Sequence, residues 1–586
     1  MRSSTVASVI FLSASIMALS SHAQGPGDRD RLKSVHPGYT VSSVIPAGFE
    51  PGVSGMDFLS DGRLVICTWG GDHKVLVPPS RKGEVYILSN VAQDDSTKIT
   101  YKKFAVGLQE PLGLKVVNDT IYVSERQALA VLADKNGNDT LESTEYRKLA
   151  AYTSGGDRHE FFFGLPYKDG HFYGAHSISL RSGGFAAVPQ PNANRGTYVK
   201  IEKATGKTEY IAGGARQPFG LAFNPAGDLF STDVQGTWNP YNSFTHVRPD
   251  RFYGHPQIGQ TPANTWDAMP YSPTTVILPQ SEIANAAGEP VYVNNGIFKG
   301  QFLYGDVTYG GIQRVFLEKI GGEFQGGVVR FTSGLKAGVS RLRFGPNGDL
   351  YVGQIGDPDG NWNESDTKLF GLQKLKANGK TAFEMLSVRS RPKGMEIEFT
   401  EPVALDADQP AKYEVKSWTY TRTVDYGGSA QNKKILAVTK VQVDASRKKV
   451  YLEVTGLTAG YLVYIRLVGL KSATDGAPWS TEAWYTLNRF GSGDPFETTG
   501  LAAPAVGKAA PAAFTIGRDH EAIRFQIASV GPYVLRISDA RGALVAELKG
   551  EVSGVRALPV QGLKSGLYAA ILISDGKSMS RSFVHH

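Results

Sequence analysis

The sequence predicts an all-β protein, in which a six-bladed β-propeller is followed by a β-sandwich and a small C-terminal β-domain. Three observations predict this fold class. With 586 residues, the chain is long enough for more than one core. Its 67 glycines and 31 prolines, together with 28 Phe and 26 Tyr, favour many strands joined by tight turns over long helices. The third observation is a repeated unit of two short apolar runs separated by a turn.

The repeated unit is clearest in PFGLAFNPAGDLFSTD, which starts at Pro218. Each copy is a pair of strands joined by Asp-Gly, Asn-Asp or Gly-Asp turn chemistry, and the copies recur about every fifty residues with insertions. A repeat of hairpins that cannot bury both faces alone indicates the blades of a propeller. We therefore predict a propeller over residues 35–378, with units starting at Gly55, Pro111, Phe161, Pro218, Gly296 and Val339.

Polar residues precede the first strand in three of these units. In a propeller the first strand of each blade lines the central channel, so the residues just before it lie at one mouth of that channel. These residues are Gln109, Glu110, Asp157, Arg158, His159, Glu160, Arg216 and Gln217. We expect them to converge on one shared pocket.

The sequence pattern changes after the propeller. Residues 381–490 alternate apolar and polar positions between short turns, which predicts a single β-sandwich of the fibronectin or immunoglobulin type. Residues 491–513 are rich in Gly, Pro and Ala, which is typical of a linker. Residues 514–586 contain a further run of predicted strands, and we expect a small β-domain there.

The first 23 residues have the form of a secretory signal peptide, with an early Arg2, an apolar segment and a small-residue site ending at Ala23. We expect an exported protein, secreted or on the outer cell surface, without a transmembrane segment. The one cysteine, Cys67, excludes an internal disulfide. The formal charge of +7 is spread along the chain without clusters of Lys and Arg, so we expect no nucleic-acid partner.

The predicted propeller resembles the glucose/sorbosone dehydrogenase family, which are secreted six-bladed sugar dehydrogenases that use pyrroloquinoline quinone (PQQ) and calcium. The resemblance is strongest in GGARQPFGLAFNPAGDLFSTDVQG, which is similar to the family's Arg-Asn-Pro-x-Gly-Leu unit, and in HVRPDRFYGHP. It is closer still to the secreted "membrane-bound dehydrogenase"-type branch, of which HEFFFGLPYKDGHFYG is typical. The resemblance implies a carbohydrate or polyol substrate and an external electron acceptor.

Carried over onto this sequence, the resemblance implies that His159 is the general base, that Arg216 lies over the cofactor and that Gln109 contacts the sugar. A neutral imidazole can take the proton of a sugar hydroxyl while the hydride leaves to the quinone, and a planar guanidinium pairs with the quinone's carboxylates. Both residues also have a structural alternative. His159 could make a hydrogen bond at the rim, and Arg216 could tie neighbouring blades together.

The sequence departs from the family at the implied cofactor and calcium positions. The implied cofactor-binding residues are Arg216, Gln217, Thr308 and Tyr309, and the last two stand where the family has a Lys-Arg pair. In the region that resembles the family's calcium loop, Gly236 is retained, but Asn242 stands roughly where an aspartate is expected. Fewer charges predict weaker binding of the quinone and of calcium.

A second calcium candidate is the segment DKNGNDTLESTE, residues 134–145. It has the D-x-N-x-N spacing, which places oxygen ligands on one side of a tight loop. The candidate ligands are Asp134, Asn136, Asn138 and Glu145. The alternative is a solvated loop of Asx turns without a metal ion.

Two further features have a functional and a structural interpretation. Aromatic residues near Arg216 either form a platform on which a sugar stacks or belong to the core. These residues are Trp238, Tyr241, Phe252 and Tyr253. The tail resembles the C-terminal sorting domains of the bacterial type IX secretion route in ISDARGALV and GLKSGLYAAIL, which implies attachment at the cell surface. Its alternative is another small sandwich that binds the cell surface or a glycan.

Together these features predict a secreted sugar oxidoreductase of the aldose or sorbosone type, with PQQ and calcium as its implied cofactors and its site in the propeller channel. Two alternatives remain open: a metal-assisted lyase or lactonase on the same scaffold, and a non-catalytic propeller that binds a glycan or a protein. The sequence has no nucleophile elbow, no His-Glu-x-x-His motif and no phosphate-binding loop, which argues against the usual hydrolases.

Overall fold

The computed structural model describes residues 30–70, 81–155, 159–256, 265–356 and 369–493, and in the C-terminal region 513–518, 522–528, 532–540, 543–550, 554–559, 561, 563–574 and 577–585. The chain forms two compact units, Met1–Phe496 and Glu497–His586, which are described separately. The predicted signal peptide, residues 494–512 of the predicted linker, and the rim residues Asp157 and Arg158 lie outside the described residues.

Six antiparallel sheets, counted over the described residues, form the propeller, and each provides one blade. Their strands are β1 (Tyr39–Ser43), β2 (Val53–Phe58), β3 (Leu64–Thr68), β4 (Gly83–Ser89), β5 (Thr100–Leu108), β6 (Leu114–Val117), β7 (Thr120–Glu125), β8 (Ala128–Leu132), β9 (Tyr146–Ala151), β10 (Phe162–Phe163), β11 (Tyr167–Lys168), β12 (His171–His176), β13 (Thr197–Glu202), β14 (Thr208–Gly213), β15 (Pro218–Phe223), β16 (Leu229–Asp233), β17 (Asn242–Val247), β18 (Val276–Leu278), β19 (Ala287–Tyr292), β20 (Phe302–Asp306), β21 (Ile312–Ile320), β22 (Glu323–Thr332), β23 (Gly338–Phe344), β24 (Leu350–Ile355) and β25 (Phe370–Ala377). Blades 1 to 5 consist of β2–β5, β6–β9, β10–β14, β15–β18 and β19–β22, and blade 6 consists of β23–β25 with β1. The predicted six-bladed propeller is confirmed.

The blades close into a ring around one channel. Strands of neighbouring blades pack against each other in order: β2 on β6, β7 on β10, β10 on β15, β15 on β19, β19 on β23, and β23 on β2. The N-terminal strand β1 pairs antiparallel with β25, with Tyr39 opposite Ala377 and Ser43 opposite Gln373. Because β1 is the outermost strand of the last blade, the two ends of the propeller share one sheet, which holds the ring closed.

The hairpin turns have the backbone conformations that their residue types predict. Asn118 and Asp119, which join β6 to β7, have φ angles of 50° and 56°. Asp169 and Gly170, which join β11 to β12, have φ angles of 49° and 78°. Two consecutive residues with positive φ are required by the type I′ turn, and Asn, Asp and Gly tolerate this conformation better than other residues. The turn chemistry therefore fixes where these strand pairs reverse.

Blade 5 begins earlier than the sequence predicts. Its inner strand is β19, which ends at Tyr292, whereas the predicted start, Gly296, lies in the connection between β19 and β20 with φ 74°. The apolar pattern of β19 is interrupted by Glu289 and Pro290. Glu289 lies within ion-pair distance of Arg343 on β23, at 3.4 Å, so a polar contact with the neighbouring blade stands where the repeat predicts an apolar residue.

A β-sandwich follows the propeller within the same compact unit, as predicted. Its strands are β26 (Met385–Arg391), β27 (Gly394–Phe399), β28 (Tyr413–Thr419), β29 (Gln431–Leu436), β30 (Val438–Val443), β31 (Lys449–Val454), β32 (Tyr461–Leu467) and β33 (Glu482–Leu487). One sheet has the order β26-β27-β31-β30 and the other the order β33-β32-β28-β29. The apolar core between them includes Ile397, Val450 and Ile465.

The sandwich continues blade 5 of the propeller. Strand β33 pairs antiparallel with β22, with Gly326 opposite Thr486 and Val329 opposite Ala483. Blade 5 and one sandwich sheet thus form a single eight-stranded sheet. Val329 also belongs to the sandwich core. The sandwich is therefore joined to the propeller by a continuous hydrogen-bond ladder, which the sequence pattern does not predict.

The second compact unit is a small all-β domain. Its strands are β34 (Ala513–Arg518), β35 (Ala522–Ala528), β36 (Tyr533–Asp539), β37 (Leu544–Gly550), β38 (Gly554–Pro559), β39 (Gly566–Ser574) and β40 (Lys577–His585). They form two sheets, β34-β35-β38 and β37-β36-β39-β40, around a core that includes Phe525, Leu535 and Leu572. The predicted C-terminal β-domain is confirmed as a fold, and its sorting role stays a prediction.

Helical structure within the described ranges is limited to short 3₁₀ turns. They lie at Ser96–Lys98, Ser143–Glu145, Ser182–Gly184, Trp266–Ala268, Leu405–Asp408 and Pro410–Lys412. None of these helices has the length and apolar character needed to cross a membrane.

Candidate ligand site in the propeller channel

A cavity of about 270 Å³ lies where the inner strands of all six blades meet. Each blade contributes a residue in or just before its inner strand, namely Ser54, Leu112, Phe163, Phe219, Ala286 and Ser340. The walls are largely apolar, and their aromatic members are Trp69, Phe161, Phe163, Phe219 and Tyr426. A cavity with apolar walls and a few convergent polar groups is the usual form of a small-molecule site.

Four of the predicted site residues line this cavity. They are His159, Arg216, Gln217 and Thr308. Two others do not belong to the lining. In place of Gln109, the next residue, Glu110, lines the cavity. Tyr309 lies against Arg31, and the guanidinium carbon of Arg31 is 4.6 Å from the centre of the Tyr309 ring. The prediction that residues preceding the inner strands share one pocket thus holds for blades 2, 3 and 4, although Glu110 replaces Gln109.

The backbone of His159 is held firmly next to the inner strand of blade 3. Its carbonyl oxygen accepts hydrogen bonds from the backbone N–H of Phe161 at 2.8 Å and from the Ser177 hydroxyl. Gln217 of blade 4 donates to the same carbonyl at 3.4 Å. The imidazole packs edge-on against Phe161, with ring centres 5.5 Å apart. This arrangement fixes the position from which the imidazole faces the cavity.

The backbone of Arg216 is held by the carboxylate that ends β16. Asp233 accepts the backbone N–H of Arg216 at 2.9 Å and that of Gln217 at 2.6 Å. The guanidinium donates from Nη2 to the carbonyl of Gly184 at 2.5 Å and packs against Gly236, where a Cβ atom would lie 2.1 Å from Cζ. Only a glycine at position 236 leaves room for this guanidinium.

Arg216 is buried, and its charge is not balanced by an ion pair within the described residues. Its relative exposure is 2%, and its Nε atom has no hydrogen-bond partner within the described part of the chain. Among the described carboxylates, none forms an ion pair with it. Burial lowers the pKa of the Arg216 guanidinium, while its interactions with Tyr426 and Asp233 act in the opposite direction.

Two further arginines, which are not predicted from the sequence, line the cavity. Arg126 donates from Nη1 to Glu110 Oε2 at 2.9 Å, and Arg341 has its Nε 4.0 Å from Glu289 Oε2. Both cations are therefore balanced by carboxylates, in contrast to Arg216. Arg126 directly follows the end of β7, at the same mouth of the channel, so its place in the hairpin repeat is the signal that could have revealed it.

Calcium is not supported at the positions that the resemblance implies. Gly236 and Asn242 do not line the cavity. The Gly236 carbonyl accepts the backbone N–H of Gly427 at 3.0 Å, and the Asn242 amide donates to Gln280 Oε1 at 2.7 Å. Asn242 is fully buried on β17, where its amide ties two connections together. We therefore derive no step through a calcium ion at this site.

The loop at residues 134–145 lies away from the cavity, between β8 and β9. The Asp134 carboxylate accepts backbone N–H groups of Gly137, Asn138 and Asp139 at 2.8–3.2 Å. Glu145 accepts those of Lys135 and Glu142. These contacts are those of Asx turns and a capping box, and each carboxylate oxygen retains lone pairs. In the described ranges, no three His, Cys, Asp or Glu side chains come together as a metal site.

Of the two interpretations of the aromatic residues near Arg216, the prediction of a sugar-stacking platform fails and the structural interpretation remains. Trp238, Tyr241, Phe252 and Tyr253 do not line the cavity. Tyr253 packs in the core against Tyr198, with ring centres 5.7 Å apart, and Tyr241 packs against Tyr420 of the sandwich. The prediction fails because nearness to Arg216 in sequence does not determine the side of the strand on which a ring lies.

Comparisons with solved structures find matches at low sequence identity, with TM-scores below 0.5. A glucose dehydrogenase matches at 15% identity, over 58% of this chain and 100% of that one, with a TM-score of 0.39. The PQQ-bound aldose sugar dehydrogenase from Streptomyces coelicolor matches at 13% identity, over 58% and 99%, with a TM-score of 0.41. A family AA12 carbohydrate-active enzyme from Trichoderma reesei matches at 12%, over 60% and 99%, with a TM-score of 0.42. Likeness of this extent carries no functional argument.

At the level of sequence, no curated protein matches the chain significantly. One family model, described as a domain of unknown function (DUF7133), matches residues 33–353. The match spans the propeller from before β1 to within β24.

Proposed function

We infer that this chain, which belongs to the DUF7133 family, is a carbohydrate oxidoreductase whose reaction takes place in the propeller cavity. The observation that carries the proposal is the environment of Arg216. A buried cation without a carboxylate partner among the described residues is costly unless a ligand supplies the counter-charge. The cavity that it lines also holds a histidine and several aromatic walls. This combination favours a flat, anionic ligand beside a group that can accept a proton.

The proposed reaction oxidises a sugar hydroxyl to a carbonyl. His159 takes the hydroxyl proton while the carbinol carbon loses its hydrogen with the electron pair. PQQ, when bound, supplies the acceptor for that hydride. Arg216 would bind the carboxylates of PQQ, because a planar guanidinium can match a carboxylate with two parallel hydrogen bonds. The aromatic walls exclude water from the reacting groups.

The fit of PQQ rests on charge and shape. The aromatic residues that line the cavity suit a flat ring system, and Arg216 offers the uncompensated positive charge. Thr308 lines the cavity without a charge, so the Lys-Arg pair of the resembling family has no equivalent here. Arg126 and Arg341 bring two other cations to the same walls, each next to a carboxylate. We therefore expect binding that is weaker than a three-cation clamp would provide.

Titration of the purified full-length protein with PQQ, with and without calcium, tests the proposal. We expect an absorbance change and heat of binding, followed by oxidation of at least one aldose in a panel with an artificial electron acceptor. Arg216→Lys should weaken PQQ binding about tenfold, because lysine offers a point charge in place of a planar fork. Arg248→Lys, in the same blade but outside the cavity, is the matched control. The absence of both a spectral change and aldose oxidation at saturating PQQ would overturn the proposal and favour metal-assisted chemistry or glycan binding.

We also propose that the protein is exported, with its first 23 residues removed and its C-terminal domain directing it to the cell surface. The proposal rests on the residue patterns at the two ends of the sequence. A fusion of residues 514–586 to a periplasmic reporter should reach the cell exterior in a host with the type IX machinery. A reporter that stays in the periplasm would identify the tail as an ordinary binding domain.

A further inference from the structure

One wall of the propeller cavity comes from the sandwich. The connection between β28 and β29, residues 420–430, reaches back to the propeller, and we refer to it as the capping loop. Its Tyr426 lines the cavity together with His159 and Arg216. About 200 residues separate Tyr426 from Arg216 in the sequence, so only the attachment of the sandwich to blade 5 brings the two together.

Backbone hydrogen bonds fix the capping loop on blade 4. The backbone N–H of Trp238 donates to the carbonyl of Thr423 at 2.9 Å, and the N–H of Gly427 donates to the carbonyl of Gly236 at 3.0 Å. Tyr426 and Thr237 form an antiparallel bridge between these two contacts. The loop therefore adds a short strand-like segment to the same turn that packs against the guanidinium of Arg216.

Arg422 anchors the capping loop by its side chain. Its guanidinium donates to the Trp238 carbonyl at 3.1 Å and to the hydroxyls of Tyr241 and Tyr271, each at 3.1 Å. It lies over both tyrosine rings, with 5.6 and 5.4 Å from Cζ to the ring centres. A cation held between two aromatic faces is a strong anchor.

Tyr426 itself packs on the cavity's charged group. Its ring centre lies 5.3 Å from Cζ of Arg216, and its ring contacts Phe185 edge-on at 5.7 Å. Gly184, with φ 80°, passes directly beneath it, and a Cβ there would lie 2.7 Å from the ring. Even so, 42% of Tyr426 is exposed. The ring is thus fixed on one side by Arg216 and Gly184 and open on the other, as expected of a ligand-contacting surface rather than a core residue.

We propose that the sandwich completes the ligand site of the propeller: the capping loop places Tyr426 over Arg216, where its ring covers the guanidinium and contacts the ring-shaped ligand that Arg216 binds. The ligand-contact part rests on the proposed function, whereas the covering of Arg216 does not. Tyr426 is then a ligand-contacting residue of the site, and Arg422 is a positioning residue that acts through the loop.

Chemical modification of the free protein tests the covering of Arg216 without any ligand. In Tyr426→Ala, phenylglyoxal should modify Arg216 severalfold faster than in the wild type, as measured by mass spectrometry. Tyr426→Phe should retain the wild-type rate because the ring remains. Arg422→Gln should raise the rate because the loop loses its anchor. Tyr461→Ala, on strand β32 of the same sandwich and away from the cavity, is the control for general loosening and should leave the rate unchanged.

Binding of PQQ, measured by calorimetry, tests the ligand contact. Tyr426→Ala should weaken binding about tenfold and Tyr426→Phe by less than about twofold, because the stacking face is kept in the latter. Melting temperatures of the variants show whether each one is folded. An unchanged modification rate in Tyr426→Ala overturns the covering of Arg216, and unchanged PQQ affinity with a raised rate overturns the ligand contact. If the wild type binds no PQQ, the proposed function fails, while the modification rates still decide whether the loop covers Arg216.

Discussion

His159 and Glu110 both have backbone conformations that non-glycine residues rarely adopt. Their φ angles are 69° and 47°, and both residues line the cavity just before the inner strand of their blade. Such conformations cost about 1–3 kcal/mol each and persist where the surrounding structure enforces them, most often at functional sites. The surrounding structure holds His159 in this conformation, because the carbonyl oxygen of His159 accepts hydrogen bonds from three donors. The strain therefore supports a role for the mouth of the channel beyond folding.

Replacement of His159 by glutamine tests its role as the base. If His159 accepts the hydroxyl proton, His159→Gln should lower the turnover of the PQQ-loaded protein by about two to four orders of magnitude, as for other general bases. The fold should survive, because the substitution keeps the hydrogen bonds that the backbone carbonyl of this residue accepts. His171→Gln, on β12 of the same blade and outside the cavity, should retain wild-type turnover. Equal turnover in both variants would remove His159 from the mechanism.

At the scale of the element, a carboxylate at the end of the second strand recurs in several blades. The Glu125 carboxylate accepts a hydrogen bond from the backbone N–H of Gln109. The Asp233 carboxylate accepts hydrogen bonds from the backbone N–H groups of Arg216 and Gln217. The Asp306 carboxylate accepts hydrogen bonds from those of Asn285 and Ala286. In each case the amides belong to the residues just before the inner strand. The acidic residue that ends the second strand of these units therefore has a structural role, because it fixes the backbone from which the site residues project.

Asp233→Asn tests this structural role. The carboxylate accepts three hydrogen bonds, from the amides of Arg216 and Gln217 and from Asn239 Nδ2, whereas an asparagine would turn an N–H group toward one of these donors. We expect a loss of about 1–3 kcal/mol in the free energy of unfolding, measured by chemical denaturation. Asp250→Asn, in an exposed turn of the same region, should change it by less than about 0.5 kcal/mol. Equal effects of the two substitutions would contradict a special role for Asp233.

The loop at residues 134–145 provides a second test at the scale of the element. We propose that Asp134, Asn136 and Asn138 bind calcium, with Glu145 at the twelfth position. A bound ion stabilises only the folded state, so a chelator should lower the melting temperature, and Asp134→Ala should abolish this sensitivity. A melting curve that is unchanged in chelator would favour the metal-free alternative, in which the turn contacts of Asp134 and Glu145 are sufficient.

At the scale of the whole molecule, two buried histidines and one partly buried histidine predict a loss of stability in acid. Burial lowers the pKa of His255 to about 3, that of His246 to about 4, and that of His176 well below its ordinary value. As the pH falls below 6.5, the unfolded chain binds protons that the folded chain does not, so the free energy of unfolding decreases. Burial raises the pKa values of Asp233 and Asp306, and these two groups act in the opposite direction when they protonate.

The size of this effect can be measured in one variant. Each histidine contributes up to about 1.4 kcal/mol per pH unit between its unfolded and folded pKa values. In His255→Gln, the slope of unfolding free energy against pH between pH 6.5 and 4 should therefore be shallower than in the wild type by about that amount. Identical slopes would show that His255 is protonated in the folded protein in this range.

The candidate site was predicted in part, and its failures have more than one cause. Arg216, Gln217 and His159 were found because each precedes a strand whose position in a blade follows from the repeat. The roles of Gln109 and Tyr309 came from the family resemblance, and neither residue lines the cavity: Glu110 does so in place of Gln109, and Tyr309 lies against Arg31. Arg126 and Arg341 were missed because they lie outside the segment that precedes each strand.

The sequence by itself determined the all-β class, the six blades and the mouth of the channel, because turn chemistry and alternating polarity act between neighbouring residues. The two-residue turn at Asn118 and Asp119 shows this, since their residue types already require the conformation found. Only the tertiary structure decided that β33 extends blade 5 and that Tyr426 reaches Arg216. Those contacts join segments more than 150 residues apart, and their energy comes from strand pairing and packing between distant surfaces, which leave no local pattern in the chain.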